Sequence, residues 1–182
     1  MSEVTELGCL TIGVSDLAAW EEFAARILGL EVVDPGDPSI RYLRMDYWHH
    51  RIRLVKDASD DVLVASFRLA GVLEFRAMAT RLSDAGIAVR IGTREEAEAR
   101  QMLEVMFLED PNGYPIEIFH GPLVQYNLPF HSGRRMHGAF RTAAGGFGHM
   151  MQSSRAGFEE IHAFYTLLGM RGGLDLVTCA KI

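Results

Sequence analysis

The sequence predicts an α+β protein built from tandem modules, each a strand, a helix and three further strands. Three observations lead there. The order strand, helix, strands occurs twice before residue 121, and Gly29 and Gly86 close the two helical stripes. Several strands follow each helix in succession, which parallel βαβ crossovers alone do not produce. The opening of the chain also recurs: Gly8 returns as Gly148 and Leu28-Gly29 as Leu168-Gly169, at one offset of 140 residues.

The elements follow in order. Leu10, Ile12 and Val14 alternate with small or polar residues, the period of a half-buried strand. Ser15-Asp16 can cap the helix that follows. Leu17, Trp20, Ala24, Ile27 and Leu28 fall at helical spacing, and Gly29 supplies the left-handed stop. Strands are expected around Glu31–Asp34, Arg41–Tyr47 and Arg51–Lys56, the first two parted by Asp34-Pro35-Gly36-Asp37-Pro38. The pattern then restarts with a strand at Val62–Leu69 and a stripe of Phe75, Met78, Ala79 and Leu82. Ile87–Ile91 reads as the next strand, and the polar Thr93–Gln101 as a loop or a short helix. Val105–Glu109 and Ile116–His120 are strands joined by Asp110-Pro111-Asn112-Gly113, a turn in which proline presets one dihedral and Asn-Gly tolerates positive φ.

Residues 121–145 show no periodicity, and a stretch of that length without regular structure is improbable inside a compact domain. The division expected is therefore a two-module unit at 1–120, a connection at 121–145, and the beginning of a further unit at 146–182. That last unit opens with a strand at Phe147–Ser153. A helix over Phe158, Ile161, Tyr165 and Leu168 follows, then a strand at Leu174–Thr178. A duplicated unit of this period implies about 280 residues in all, so the chain reads as a partial form.

Bulk properties narrow the function. Hydrophobic content of 48% with 23% charged residues is that of a globular protein. The net charge of −6 disfavours a nucleic acid or an anionic membrane as partner. No apolar run is long enough to span a bilayer, and no basic start with an apolar stretch marks a signal peptide. Cys9 and Cys179 are far apart and neither lies in a CxxC, which fits a reducing, cytoplasmic setting.

Several residue groups carry possible chemistry. His149 occupies the repeat position at which the first copy has Cys9, on a strand whose side chain should face inward. His49 and His50 are adjacent on an expected strand, point to opposite faces and so cannot chelate one ion together. Tyr47 and Trp48 read as core and interface residues. Glu159 and His162 have the Glu-x-x-His spacing of di-iron bundles, but no second copy exists, and a solvated helix face is expected. His120, His131 and His137 are expected at the surface. Gly145-Gly146-Phe147-Gly148 precedes a strand rather than opening a helix, so it is no phosphate cradle.

Paired modules ending in Asp110-Pro-Asn-Gly-Tyr-Pro-Ile-Glu117 resemble the vicinal oxygen chelate superfamily, with its glyoxalase-like fold. Within it, Arg41-Tyr-Leu-Arg-Met-Asp-Tyr-Trp-His-His-Arg-Ile52 and Ala163-Phe-Tyr-Thr-Leu-Leu-Gly169 are similar to the type I extradiol ring-cleaving dioxygenases. The likeness is strongest to those acting on 1,2-dihydroxynaphthalene and 2,3-dihydroxybiphenyl. The resemblance implies an inert N-terminal domain and a catalytic C-terminal domain that holds Fe(II) through two histidines and a glutamate. It implies a small aromatic diol and O₂ as substrates, His149 as the first metal ligand and Met151 as apolar surface beside the diol. A homo-oligomer is expected. The other ligands fall beyond Ile182, so the 182 residues alone are expected to be inactive. In the first copy Cys9 replaces the histidine, Val64 lies near the expected second histidine, and only Glu117 has the right type and place, as a relic or structural acid. The alternative function is a non-catalytic binding or assembly module of the same fold. A glyoxalase-like isomerase is a weaker reading, because it needs ligands that the first unit lacks.

Overall fold

The computed structural model describes residues 3–142 and 146–172, so the expected strand at 174–178, Cys179 and Gly145 lie outside the described residues. The elements are β1 (Glu6–Val14), α1 (Leu17–Glu22), β2 (Glu31–Val33), β3 (Ile40–Arg44), β4 (Ile52–Lys56), β5 (Val62–Arg68), α2 (Val72–Asp84), β6 (Arg90–Ile91), α3 (Arg94–Glu98), β7 (Met102–Glu109), β8 (Pro115–Pro122) and α4 (Phe158–Leu167). The strands form one eight-stranded sheet in the order β2-β3-β4-β1-β5-β8-β7-β6. Each module places its first strand at the seam, where β1 and β5 pair antiparallel. Within each module the last strand returns parallel to the first, β4 beside β1 and β8 beside β5. This is the tandem βαβββ arrangement expected from the sequence.

The first helix begins where Asp16 accepts from the Ala19 N–H at 3.0 Å. It widens into a π-helical stretch at Phe23–Leu28 and stops at Gly29, whose φ of 77° is left-handed. Beneath it Val14, Leu17, Ala24, Leu30, Leu43 and Leu54 form one core. The helix α2 lays Phe75, Met78 and Leu82 on the second half of the sheet, over Leu7, Phe67, Met106 and Ile118. Among the described residues no helix is long and apolar enough to cross a membrane.

The structure corrects several local expectations. The strand expected at Arg41–Tyr47 ends at Arg44, because Asp46 turns the chain by accepting from the Trp48 N–H at 3.0 Å and from Arg51 at 2.8 Å. Only Arg90 and Ile91 of the stretch 87–91 are a strand, since Ile87 donates back to the carbonyl of Leu82. The ambiguous segment after Thr93 is a helix, fixed by a capping box between Thr93 and Glu96. Residues 147–153 are not a strand: a strand needs a ladder, and among the described residues their backbone makes one such bond, Phe147 N–H to the Leu7 carbonyl at 3.1 Å.

The aperiodic stretch after β8 runs back across the first module. Trp48 and Val124 form a bridge, and Arg44 donates to the Leu128 carbonyl at 2.7 Å. Gly133 passes so close to the Ala25 backbone that a Cβ would stand 2.7 Å from it. Further on, α4 packs against the second module. Phe164 and Leu168 join the core beneath α2, and Val4 donates to the Leu168 carbonyl at 3.0 Å. The apolar face of α4 is thus partly covered, while Phe158 remains 63% exposed.

Candidate functional site

The face of the sheet opposite α2 is where a site of the first unit would lie. Bulges in β1 shift its register with β5 on either side of Cys9, Leu10 and Thr11. In this register Ser66 stands beside Cys9 and Val64 beside Thr11, and Glu117 lies beside Ser66 on β8. Alternation along β8 turns Glu117 and Phe119 to this face and Ile116, Ile118 and His120 toward α2. Glu117 is buried and fully engaged, accepting from Ser66 at 2.7 Å and from Arg100 Nε at 2.5 Å. Burial pushes the Cys9 thiol up to about 12; the Arg51 charge opposes this, and Glu117, Asp46 and Glu6 reinforce it. A neutral, buried thiol is neither a nucleophile nor a metal ligand. Arg51 completes the filling: it is 2% exposed, ion-paired to Glu6 and Asp46, and stacked 3.5 Å from the Trp48 ring centroid. This face is a structural polar core.

Two histidine expectations change. His49 and His50 lie in the loop before β4, and their Nδ1 atoms meet at 3.0 Å, so they do not point to opposite faces. One ring donates and the other accepts, so the tautomers of the two rings are coupled. Burial, then the neighbouring His49, Arg53 and Arg51, drives the His50 pKa down to about 3, and burial lowers that of His49 also. His120, expected at the surface, is 6% exposed, packs edge-on against Phe75 and pairs with Glu104 at 2.9 Å.

His149 is exposed and sits at the mouth of a groove of about 430 Å³, lined among others by Glu6, Leu7, Phe67, Met150 and Tyr165. Met151 is 96% exposed and borders a smaller cleft of about 150 Å³ with Val62, Tyr114 and Met150. Met150 borders both and packs on the core beneath α2. Among the described residues no group of three or more His, Cys, Asp or Glu side chains is placed to hold a metal ion. His149 alone does not constitute a metal site, so these residues do not by themselves fit the iron that the resemblance implies.

The segment carrying His149 is tied to the turn after β7. Asp110 accepts from Gln152 at 2.9 Å and Tyr165 at 3.3 Å; Asn112 accepts from the N–H groups of Arg155 and Ala156 at 2.8 and 2.9 Å. Burial, and then the Asp110 charge, hold the Tyr165 phenol above its usual range. The sequence shows Asp110 and Asn112 as turn formers; nothing in it announces partners so far along the chain.

The family described as "Dihydroxybiphenyl dioxygenase BphC D1" matches residues 7–56. A 1,2-dihydroxynaphthalene dioxygenase of Sphingobium xenophagum is 46% identical over 175 residues, covering 96% of this chain and 58% of that protein. A biphenyl-2,3-diol 1,2-dioxygenase of Sphingomonas paucimobilis is 44% identical with the same coverage. The crystal structure of a catechol 2,3-dioxygenase superposes with a TM-score of 0.93 at 44% identity, over 96% of this chain and 58% of that one. In fold and sequence the chain is thus similar to ring-cleaving dioxygenases with the vicinal oxygen chelate fold, and it spans 58% of the length of these three relatives.

Proposed function

We infer that this sequence serves an Fe(II)-dependent extradiol dioxygenase that opens the ring of a bicyclic or biaryl catechol, dihydroxynaphthalene or dihydroxybiphenyl, using O₂. The observation that carries the reading is the 46% identity to a 1,2-dihydroxynaphthalene dioxygenase across 96% of the chain. In this reading residues 1–120 are a non-catalytic scaffold, 121–145 the connection and 146–182 the beginning of the catalytic unit. His149 would be one ligand of a two-histidine, one-carboxylate set, and the metal so held would supply a binding site for a chelating diol and O₂. Met151 offers a soft apolar surface to the aromatic ring. The filled inner face of the first unit suits a scaffold, because Glu117 is already committed to Arg100 and Ser66. The setting is cytoplasmic, in keeping with the buried free thiol of Cys9. The protein is a homo-oligomer; the exposed Leu73, Leu103 and Tyr126 offer surface for self-association. A non-catalytic module draws no support from relatives that carry enzyme names.

Two proteins test this: the 182-residue chain, and the same chain continued by the C-terminal part of the 1,2-dihydroxynaphthalene dioxygenase relative. The short chain should show no tight stoichiometric Fe(II) binding. The continued chain should take up O₂ with either diol, and His149→Ala should lower that rate by more than about a hundredfold. A continued chain that binds iron but cleaves neither diol nor simple catechols would refute the assignment. Tight iron binding by the short chain, lost on His149→Ala, would show that its ligand set is not incomplete.

A further inference from the structure

The turn Asp110–Gly113 joins β7 to β8, and its own closure uses only part of its hydrogen-bonding capacity. Asp110 Oδ1 accepts from the N–H groups of Asn112 at 2.8 Å and Tyr114 at 3.0 Å, and Gly113 donates to the Asp110 carbonyl at 2.8 Å. Asp110 Oδ2 takes the Asn112 amide at 3.3 Å, and its other donors, Gln152 and Tyr165, lie at least 42 positions along the chain. Asn112 Oδ1 turns wholly to that distant segment. It accepts from the Arg155 and Ala156 N–H groups at 2.8 and 2.9 Å and from Ser154 Oγ at 3.1 Å. A carbonyl oxygen has two lone pairs, so three donors saturate it.

A second fixed point lies before His149. Phe147 donates to the Leu7 carbonyl at 3.1 Å. Gly146, at a φ of +63°, lies so close to Glu6 that a Cβ would stand 2.5 Å from the Glu6 Cβ. Glu6 is itself held by Arg51 and Arg68. His149 therefore follows one tethered residue, Phe147, and precedes another, Gln152. Four residues lie between these tethers, which the chain can hold at most about 18 Å apart, so the two tethers confine the loop between them.

We propose that the Asp110–Gly113 turn anchors the His149–Met151 loop, with Asn112 as its positioning residue: the two-module unit sets where this loop lies. The ligand role of His149 rests on the dioxygenase reading; the anchoring rests on the contacts above and stands apart from it. Asp110 holds the turn and clasps Gln152 and Tyr165, while Asn112 grips the backbone three and four residues beyond the exposed Met151–Gln152 pair.

Amide hydrogen exchange and methyl NMR on the 182-residue chain test the anchor. Asn112→Leu removes the acceptor but not the shape. Exchange at Arg155 and Ala156 should then quicken about tenfold or more, the loss of one to two net hydrogen bonds. Cross-peaks from the Met150 methyl to the core beneath α2 should weaken, while amides of β1, β5 and β8 keep their protection. Asn112→Asp keeps the acceptor oxygen but loses the amide that donates to Asp110, and should restore part of the protection and the cross-peaks. Unchanged exchange in Asn112→Leu overturns the proposal. So does equal loss in both variants, which would mark the site as sensitive to any change rather than to its acceptor. Faster exchange with Met150 cross-peaks intact would also overturn it, since the bonds would exist without positioning the loop. None of these readings depends on iron or on diol cleavage, so failure of the enzyme assignment leaves them interpretable.

Discussion

Burial determines the charge of His50. Its ring is 5% exposed, contacts Tyr42 and His49, and has its pKa pushed down to about 3 from the usual 6.5. The unfolded chain therefore binds a proton below pH 6.5 that the folded chain refuses. The stability this histidine allows is complete above that pH and falls away as the pH drops from 6.5 toward 3. Between pH 7.5 and pH 5 the loss amounts to roughly 2 kcal/mol. Urea unfolding of the wild type and His50→Leu at both pH values should show a smaller pH dependence in the variant by about that amount; equal dependence would mean that His50 is not the group responsible. Part of this was legible in the residues and part was not. Adjacency on a strand implied opposed side chains, but Asp46 ends the strand early and the loop lets the rings meet. Glu117 was recognisable by type and place. Its partner Arg100 was not, because an ion pair across 17 residues depends on how α3 ends. Nor was Ser66, which stands beside Cys9 only through the one-residue register shifts in β1.

At the level of elements, hydrophobic period and glycine stops located the helices α1, α2 and α4 and the central residues of β1, β5, β7 and β8. Both Gly29 and Gly86 take positive φ, as a left-handed helix stop requires. Strand ends were less legible, since a strand persists only as far as its neighbour supplies a ladder: two residues suffice to pair β6 with Phe107 and Met106. The same physics explains residues 147–153, where a strand-like pattern finds no ladder. The helix α4 was legible as a helix, but its docking was not, because its apolar face names no partner. In the structure Leu168 is fully buried and Arg81 donates to the Leu167 carbonyl at 3.2 Å. Leu168→Ala should weaken this docking by about 2–5 kcal/mol, the usual range for a buried leucine. Hydrogen exchange should show lost protection at 161–168 with little change in β5 and β8. Unaltered protection along α4 would mean that Leu168 does not hold it.

Across the whole molecule, the two modules share one sheet, and the later chain lies back over both of them. Residues 124–134 cross the first module through Val124, Leu128 and Arg134, the last donating to the Ile27 carbonyl at 3.1 Å. The segment from Phe147 to Leu168 covers the second module. Between these attachments the chain exposes Arg135 and Arg141, which offer trypsin its substrate. The core beneath α2 shields its own residues, including Phe164 and Leu168. Brief digestion should therefore cut first at these arginines and yield two fragments on a denaturing gel. The fragments should remain together under native conditions. The smaller one keeps Phe147 on Leu7, Arg155 and Ala156 on Asn112, and Leu168 on Val4, contacts that do not require the severed bond. Native size-exclusion chromatography of the nicked protein should give a single peak containing both fragments. Leu168→Ala should release the smaller fragment at the same protein concentration. If the wild-type fragments separate as soon as the chain is cut, the later segment is held by connectivity alone, and the scaffold does not bind it as the structure indicates.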